Sequence, residues 1–207
     1  MILKLKNDLG SCKTNNLGRN NMKKIVTIGI TVLAGLTLTA CGNNKSNSAS
    51  SKSSSTETAS SVKPSDQASN RTWTYKNNVF DAGIETYRFT KSEVRDSSED
   101  CKKVLVLYCD VTNNSKKEQD PSNVYMVVHA YQKTDTSNVQ LDPGMVALDE
   151  NGNNPLQEQD DNLNNKLLPG KTVHAVMVYT LKNNNPVKVT FENPDFNTIG
   201  TKTYNLK

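Results

Sequence analysis

From Val104 to Val111 the chain reads Val-Leu-Val-Leu-Tyr-Cys-Asp-Val, which places Leu105, Leu107, Cys109 and Val111 on one face of an extended strand. Val124 to Tyr131 repeats the pattern and groups Val124, Met126, Val128 and Ala130. Val173 to Leu181 aligns Val173, Ala175, Met177, Tyr179 and Leu181, and Val187, Val189 and Phe191 form a shorter run. Gly83 to Thr90 predicts an earlier strand that sets Ile84, Thr86 and Arg88 against Glu85, Tyr87 and Phe89. At least two of these runs are apolar on both faces, so both of their sides are predicted to be covered.

Turn chemistry separates the runs. Asp142-Pro143-Gly144 and Leu168-Pro169-Gly170-Lys171 put Pro and Gly where a type II turn needs them. Lys133–Asn138 and Asn183-Asn184-Asn185-Pro186 are each short enough to close a hairpin. Between Leu148 and Leu168 the alternation disappears into Asn, Asp, Gln and Glu, predicting a short helix or a long loop. Several short strands, regular turns and no strong amphipathic helix define an all-β class, an antiparallel β-sandwich. Residues 72–207 are one domain's length, with a core that starts where Trp73, Tyr75, Val79 and Phe80 arrive together.

Upstream the pattern is of another kind. Ile25–Ala40 is uncharged and rich in Ile, Val and Leu, follows Lys23-Lys24 and ends in Leu38-Thr39-Ala40-Cys41. It falls short of the roughly 20 residues a membrane-spanning helix needs. Basic residues before it and small residues at its end are those of a secretory signal. With Cys41 in first place after cleavage, residues 1–40 are predicted to be an N-terminal extension and a lipoprotein signal peptide, and Cys41 the lipidation site. Met22, directly before the lysine pair, is the expected initiator.

From Gly42 to Asn70 the chain is mainly Ser, Asn, Thr, Ala, Lys and Gln, and Val62 is its one large aliphatic residue. Residues 41–71 therefore read as a lipidated cysteine followed by a disordered tether with a reach of roughly 30 Å. The charge balance shifts once the leader is removed. Six of the basic residues and a single acid lie in residues 1–41, so a chain of net +4 leaves a mature part of net −1. Such a product lacks the broad basic footprint of a nucleic-acid binder, and no nucleic-acid partner is expected. The expected contact is with the membrane, through the lipid on Cys41, at the extracellular face of the cell membrane. Two acyl chains would hold it there far better than one.

Three stretches carry a family resemblance: Trp73-Thr-Tyr-Lys-Asn-Asn-Val-Phe80, Val104 to Thr112-Asn113-Asn114, and Leu168-Pro-Gly-Lys-Thr172. Over nearly all of residues 72–207 the chain resembles lactobacillal surface lipoproteins with an immunoglobulin-like domain of unknown function, related in shape to telokin-like and mycobacterial secreted-antigen-like domains. The resemblance implies an immunoglobulin-like sandwich and a Gram-positive host. It supplies no catalytic or ligand residues.

The candidate chemistry is sparse. Cys12 and Cys41 lie upstream, leaving Cys101 and Cys109. On one continuous strand these would stand roughly 26 Å apart, beyond the reach of a disulfide. Cys109 is predicted to be a core residue and Cys101 a partly exposed thiol, with an intermolecular disulfide through Cys101 as the alternative. The two histidines, His129 and His174, both fall in strand patterns. A Cys109/His129 pair on adjacent strands would be needed for a hydrolase or redox enzyme, and an accessory solute-binding lipoprotein would normally need two domains around a cleft. Asp149-Glu-Asn-Gly-Asn153 offers alternating oxygens but lacks the sixth-position glycine and closing glutamate of an EF-hand loop. No metal site, catalytic residue or cofactor is expected. The expected function is a binding or structural module with a protein or cell-wall partner. That partner is expected to meet loops Lys133–Asn138 and Asp149–Asn165, and Trp73, Tyr75 and Phe80 are expected in the core.

Overall fold

The computed structural model describes residues 61–206. The signal segment, Met22, Cys41 and most of the expected tether lie outside the described residues. In chain order the strands are β1 (Thr74–Lys76), β2 (Val79–Asp81), β3 (Glu85–Asp96), β4 (Lys103–Asn113), β5 (Val128–Lys133), β6 (Asn138–Gln140), β7 (Thr172–Thr180), β8 (Val187–Glu192) and β9 (Thr198–Tyr204). A helix, α1 (Gln157–Asn164), precedes β7, and 3-10 turns occupy Ala68–Asn70 and Pro121–Met126.

The strands form two antiparallel sheets, of order β1-β2-β3-β4-β7 and β6-β5-β8-β9. Leu105, Leu107, Cys109 and Val111 face the second sheet's Val128, Ala130, Val187, Val189 and Phe191 in one buried core. The fold is thus the all-β sandwich expected from the alternation. β4 and β7 are indeed covered on both sides. On the outer side Val104, Val106, Val176 and Val178 pack with Val146 and Leu156, which come from the excursion between β6 and β7.

Asn77 and Asn78, with φ of 52° and 61°, close the two-residue β1–β2 hairpin. Two successive positive φ values are what a type I′ turn requires, and Asn tolerates them better than most residues. The Leu168–Lys171 turn forms as expected, with Gly170 at φ 71° and the Lys171 N–H donating to the Leu168 carbonyl at 3.2 Å.

Four expectations need correction. Val124–Tyr131 is not one strand: Pro121 opens a 3-10 turn, and β5 begins only at Val128. Three-residue periodicity still buries Pro121 and Val124, while Met126 is 61 % exposed. Asn183–Pro186 is not a hairpin either, because β7 and β8 belong to different sheets. The fully buried Gln132 holds that crossover. Its amide donates to the carbonyls of Asn183 and Asn185 at 3.1 and 2.7 Å, and its oxygen accepts the Lys182 N–H at 2.8 Å.

The third correction concerns Asp142–Gly144. Gly144 does not take a positive φ, and the segment runs along the outer edge of β7 instead of turning. There the Gly144 N–H donates to the Val178 carbonyl at 3.0 Å, and the Thr180 N–H donates to the Asp142 carbonyl at 2.9 Å. The Val178 N–H donates to the Tyr125 hydroxyl at 3.0 Å, and Asn162 donates to the His174 carbonyl at 2.9 Å.

The fourth is the start of the packed region. Residues 61–70, expected in the tether, lie against the sandwich. Val62 N–H donates to the Gly170 carbonyl at 3.1 Å, Ser65 N–H to the Asn114 carbonyl at 2.8 Å, and Ala68 is 1 % exposed. Two glycines make room for them. A Cβ on Gly170 would stand 2.6 Å from the Val62 carbonyl oxygen, and one on Gly83 the same distance from that of Ala68. Backbone hydrogen bonds and glycine clearance fix this segment, so its low apolar content concealed it.

Candidate functional site

β3 carries Glu85, Tyr87 and Phe89 on its core-facing side, as the alternation predicted. That puts a carboxyl group at the end of a hydrophobic core. Glu85 is 6 % exposed and lines a cavity of about 200 Å³ together with Trp73, Phe80, Tyr87, Val124 and Met126. Trp73 meets Phe80 edge-on, with ring centroids 5.8 Å apart. The cavity therefore combines aromatic and aliphatic walls with one buried acid.

The acid is incompletely satisfied. Its Oε2 lies 2.9 Å from the Tyr87 hydroxyl, which also stands 2.9 Å from the Pro121 carbonyl. A phenol has one proton and cannot donate to both acceptors. When Glu85 is protonated the chain closes: the carboxyl donates to the phenol and the phenol to Pro121. Oε1 is buried with no hydrogen-bond partner among the described residues. Burial, opposed by the Tyr87 hydrogen bond and reinforced by the negative charge of Asp120, raises the Glu85 pKa to about 7. Burial and the neighbouring Glu85 also push the Tyr87 phenol well above its ordinary value.

The residues singled out in the sequence are dispersed. Cys41 lies outside the described residues. Cys109 is fully buried in the first sheet, its thiol donating to the Ala175 carbonyl at 3.8 Å, and burial pushes its pKa up to about 12. His129 sits in the second sheet between the buried Val128 and Ala130, so it faces away from the core. Its ring lies 3.2 Å from the Gln140 amide and 3.7 Å from the Glu192 carboxylate. The Cys109/His129 arrangement on adjacent strands is thus corrected: β4 and β5 belong to different sheets. His174 pairs with Asp110 at 2.6 Å across β4 and β7.

Cys101 lies at φ 63° in the turn before β4, and Cys109 is free, so the two do not pair with each other. Phe80 is fully buried, and Trp73 and Tyr75 pack against the core. Tyr75 stacks on Phe191 with centroids 3.7 Å apart. Loop Asp149–Asn165, where a partner was expected, contains α1 and buries its own Leu156 and Leu163. The Asp149 carboxylate accepts the N–H groups of Asn151 and Asn153 at 2.8 and 2.9 Å. Among the described residues, no three His, Cys, Asp or Glu side chains gather where they could hold a metal ion. No described helix is long and apolar enough to cross a membrane.

In the sequence Glu85 is one residue of a strand pattern, with no motif that would give it a role. The available signal was an acid at i placed in register with Tyr87 and Phe89 at i+2 and i+4.

Residues 60–193 match the family described as a domain of unknown function, DUF5067, and the chain belongs to that family. The match begins at residue 60, in keeping with the packing of residues 61–70. Among solved structures, the fold is similar to that of a candidate lipoprotein from Staphylococcus aureus subsp. aureus NCTC 8325. The two are 13 % identical, with a TM-score of 0.57 over 65 % of this chain and 92 % of that one. It is also similar to a protein from Enterococcus faecalis solved by NMR, 18 % identical, with a TM-score of 0.53 over 67 % of this chain and 96 % of that one. At these identities the likeness is one of fold. No curated protein matches the chain.

Proposed function

We propose that this protein is a lipid-anchored, extracytoplasmic module of a Gram-positive cell surface, with an immunoglobulin-like sandwich that acts by binding or by structural presentation. The observation that carries the reading is the uncharged run Ile25–Ala40, preceded by Lys23-Lys24 and ending on Leu38-Thr39-Ala40-Cys41. The likeness in fold to a candidate lipoprotein of Staphylococcus aureus supports it. A mature part of net −1 leaves the lipid, not charge, to hold the domain at the membrane. Its partner is a protein or cell-wall component, its role needs no catalysis, and nucleic acid is not among its ligands.

Mass spectrometry of the N-terminal peptide of the mature protein tests the anchor. Diacylglycerol on the Cys41 sulfur is expected, and Cys41→Ala should release the protein from the membrane fraction. An unmodified Cys41 thiol in protein taken from the membrane would falsify the reading.

A further inference from the structure

We propose that the cavity beside Glu85 receives the side chain of a lysine presented by a partner polypeptide, the ammonium group pairing with the Glu85 carboxyl group and the alkyl stem among Trp73, Phe80 and Met126. This rests on the binding-module reading and gives that module a site and a ligand chemistry.

Four observations converge. Small-molecule pockets usually occupy about 300–1,000 Å³, and this cavity of about 200 Å³ is sized for a single side chain. Its walls are mainly apolar and aromatic, as an alkyl stem requires, and an ammonium group is attracted to aromatic faces. Glu85 is the acid of that lining, and the remaining polar members, Gln119 and Asn123, are uncharged. One oxygen of the Glu85 carboxyl group, Oε1, has no donor among the described residues, so the group has capacity for an added N–H.

Electrostatics choose a charged donor over a neutral one. The titratable groups bearing on Glu85 are Tyr87 on its own strand and Asp120 ahead of the 3-10 turn. Its register partner on β4 is the uncharged Asn113. Among the described residues the acid thus has an acidic neighbour and no basic one, a setting that favours a cation. Binding exchanges one charge for another: Glu85 loses its proton to solvent, Tyr87 donates to the carboxylate, and the ammonium group donates to it as well. Below neutral pH one proton is released for each ammonium bound, so affinity rises with pH.

Trp73 is the chain's single tryptophan and lines the cavity, so its fluorescence reports on occupancy directly. The purified full-length chain is titrated with Nα-acetyl-lysine methylamide, with the norleucine analogue, which keeps the apolar stem without the charge, and with n-butylammonium. The lysine derivative is expected to shift the Trp73 signal at millimolar concentrations, with an affinity about tenfold higher at pH 8 than at pH 6. The norleucine analogue should bind at least tenfold more weakly and without pH dependence. Glu85→Gln should abolish the pH dependence for the lysine derivative. Should this variant misfold, the wild-type comparison of lysine with norleucine decides alone. Equal binding of norleucine, no response to the lysine derivative, or an unchanged pH profile in Glu85→Gln overturns the proposal. A response to n-butylammonium tenfold stronger than to the lysine derivative would overturn the polypeptide source in favour of a free amine. None of these results alters the acylation of Cys41, so this site and the anchored-module reading fail separately.

Discussion

The carboxamide nitrogen of Asn113 lies 2.8 Å from the carbonyl oxygen of Leu167, joining the end of β4 to the chain that enters β7. The same nitrogen donates to the Lys117 carbonyl at 2.8 Å, and the carboxamide oxygen accepts from the Ser115 N–H and hydroxyl at 2.9 and 2.8 Å. Next to it, the Asn114 amide donates to the Gly83 carbonyl at 3.0 Å. The Thr112-Asn113-Asn114 stretch is therefore a junction at which four segments meet. Asn113→Ala removes one of the two donors at each of the Leu167 and Lys117 carbonyls, which keep the Gln119 N–H and the Ser115 hydroxyl, and takes the carboxamide acceptor from Ser115. The expected loss is about 1–3 kcal/mol. Asn113→Asp should be comparably harmful, because it aims an acceptor at both carbonyls. Urea denaturation of the two variants measures this; a loss below about 0.5 kcal/mol in both would remove Asn113 from the role.

Gly170 tests the attachment of residues 61–70. A side chain there must adopt φ near 71° and collide with the Val62 carbonyl. Gly170→Ala is expected to cost roughly 1–3 kcal/mol and to expose residues 61–70 to protease earlier than in the wild type. Limited proteolysis with N-terminal mapping reads the outcome. Unchanged cleavage kinetics would mean that the segment is held by something else.

Glu85 makes stability depend on pH. Its folded pKa of about 7 lies above the ordinary 4.5, so the folded chain keeps this proton at pH values where the unfolded chain has lost it. The associated stability is complete below about pH 4.5, falls as pH rises through about 7, and is flat beyond. The drop is on the order of 3 kcal/mol. Thermal melts from pH 5 to pH 8 should show it, and Glu85→Gln should flatten the curve across that interval. A variant that keeps the wild-type slope would place the titrating group elsewhere.

Cys109 should be chemically silent. A thiol pushed up to about 12 and closed off in the core is neither ionised nor reachable at neutral pH. Under native conditions a thiol reagent is expected to label this position only as fast as the chain unfolds, with full reaction in 6 M guanidinium. Rapid native labelling would show that the core opens locally.

Most of the sandwich was legible because its signal is periodic. Leu105, Leu107, Cys109 and Val111 share the buried face that alternation gave them, and Gly170 occupies the turn position its neighbours implied. Readings failed where a local pattern fits two geometries. Val124, Val128 and Ala130 alternate like a strand, yet Val124 reaches the core from a 3-10 turn behind Pro121. Asn183–Pro186 has the composition of a hairpin turn, and whether it returns or crosses is decided by Gln132, about 50 residues away. The candidate site was the least legible part. An isolated acid in a strand carries no motif, and the properties of Glu85 arise from Tyr87, Pro121 and Asp120 once the fold has assembled them.

The outer rim of β7 has a further consequence. Its backbone groups at His174, Val178 and Thr180 are already engaged by Asn162, Tyr125, Gly144 and Asp142. A neighbouring copy cannot zip onto this margin without first stripping away a fitted selvage of loop and side chain. Molecules crowded together at high local density are thereby kept from ribbon growth along that border, and can stay dense and separate.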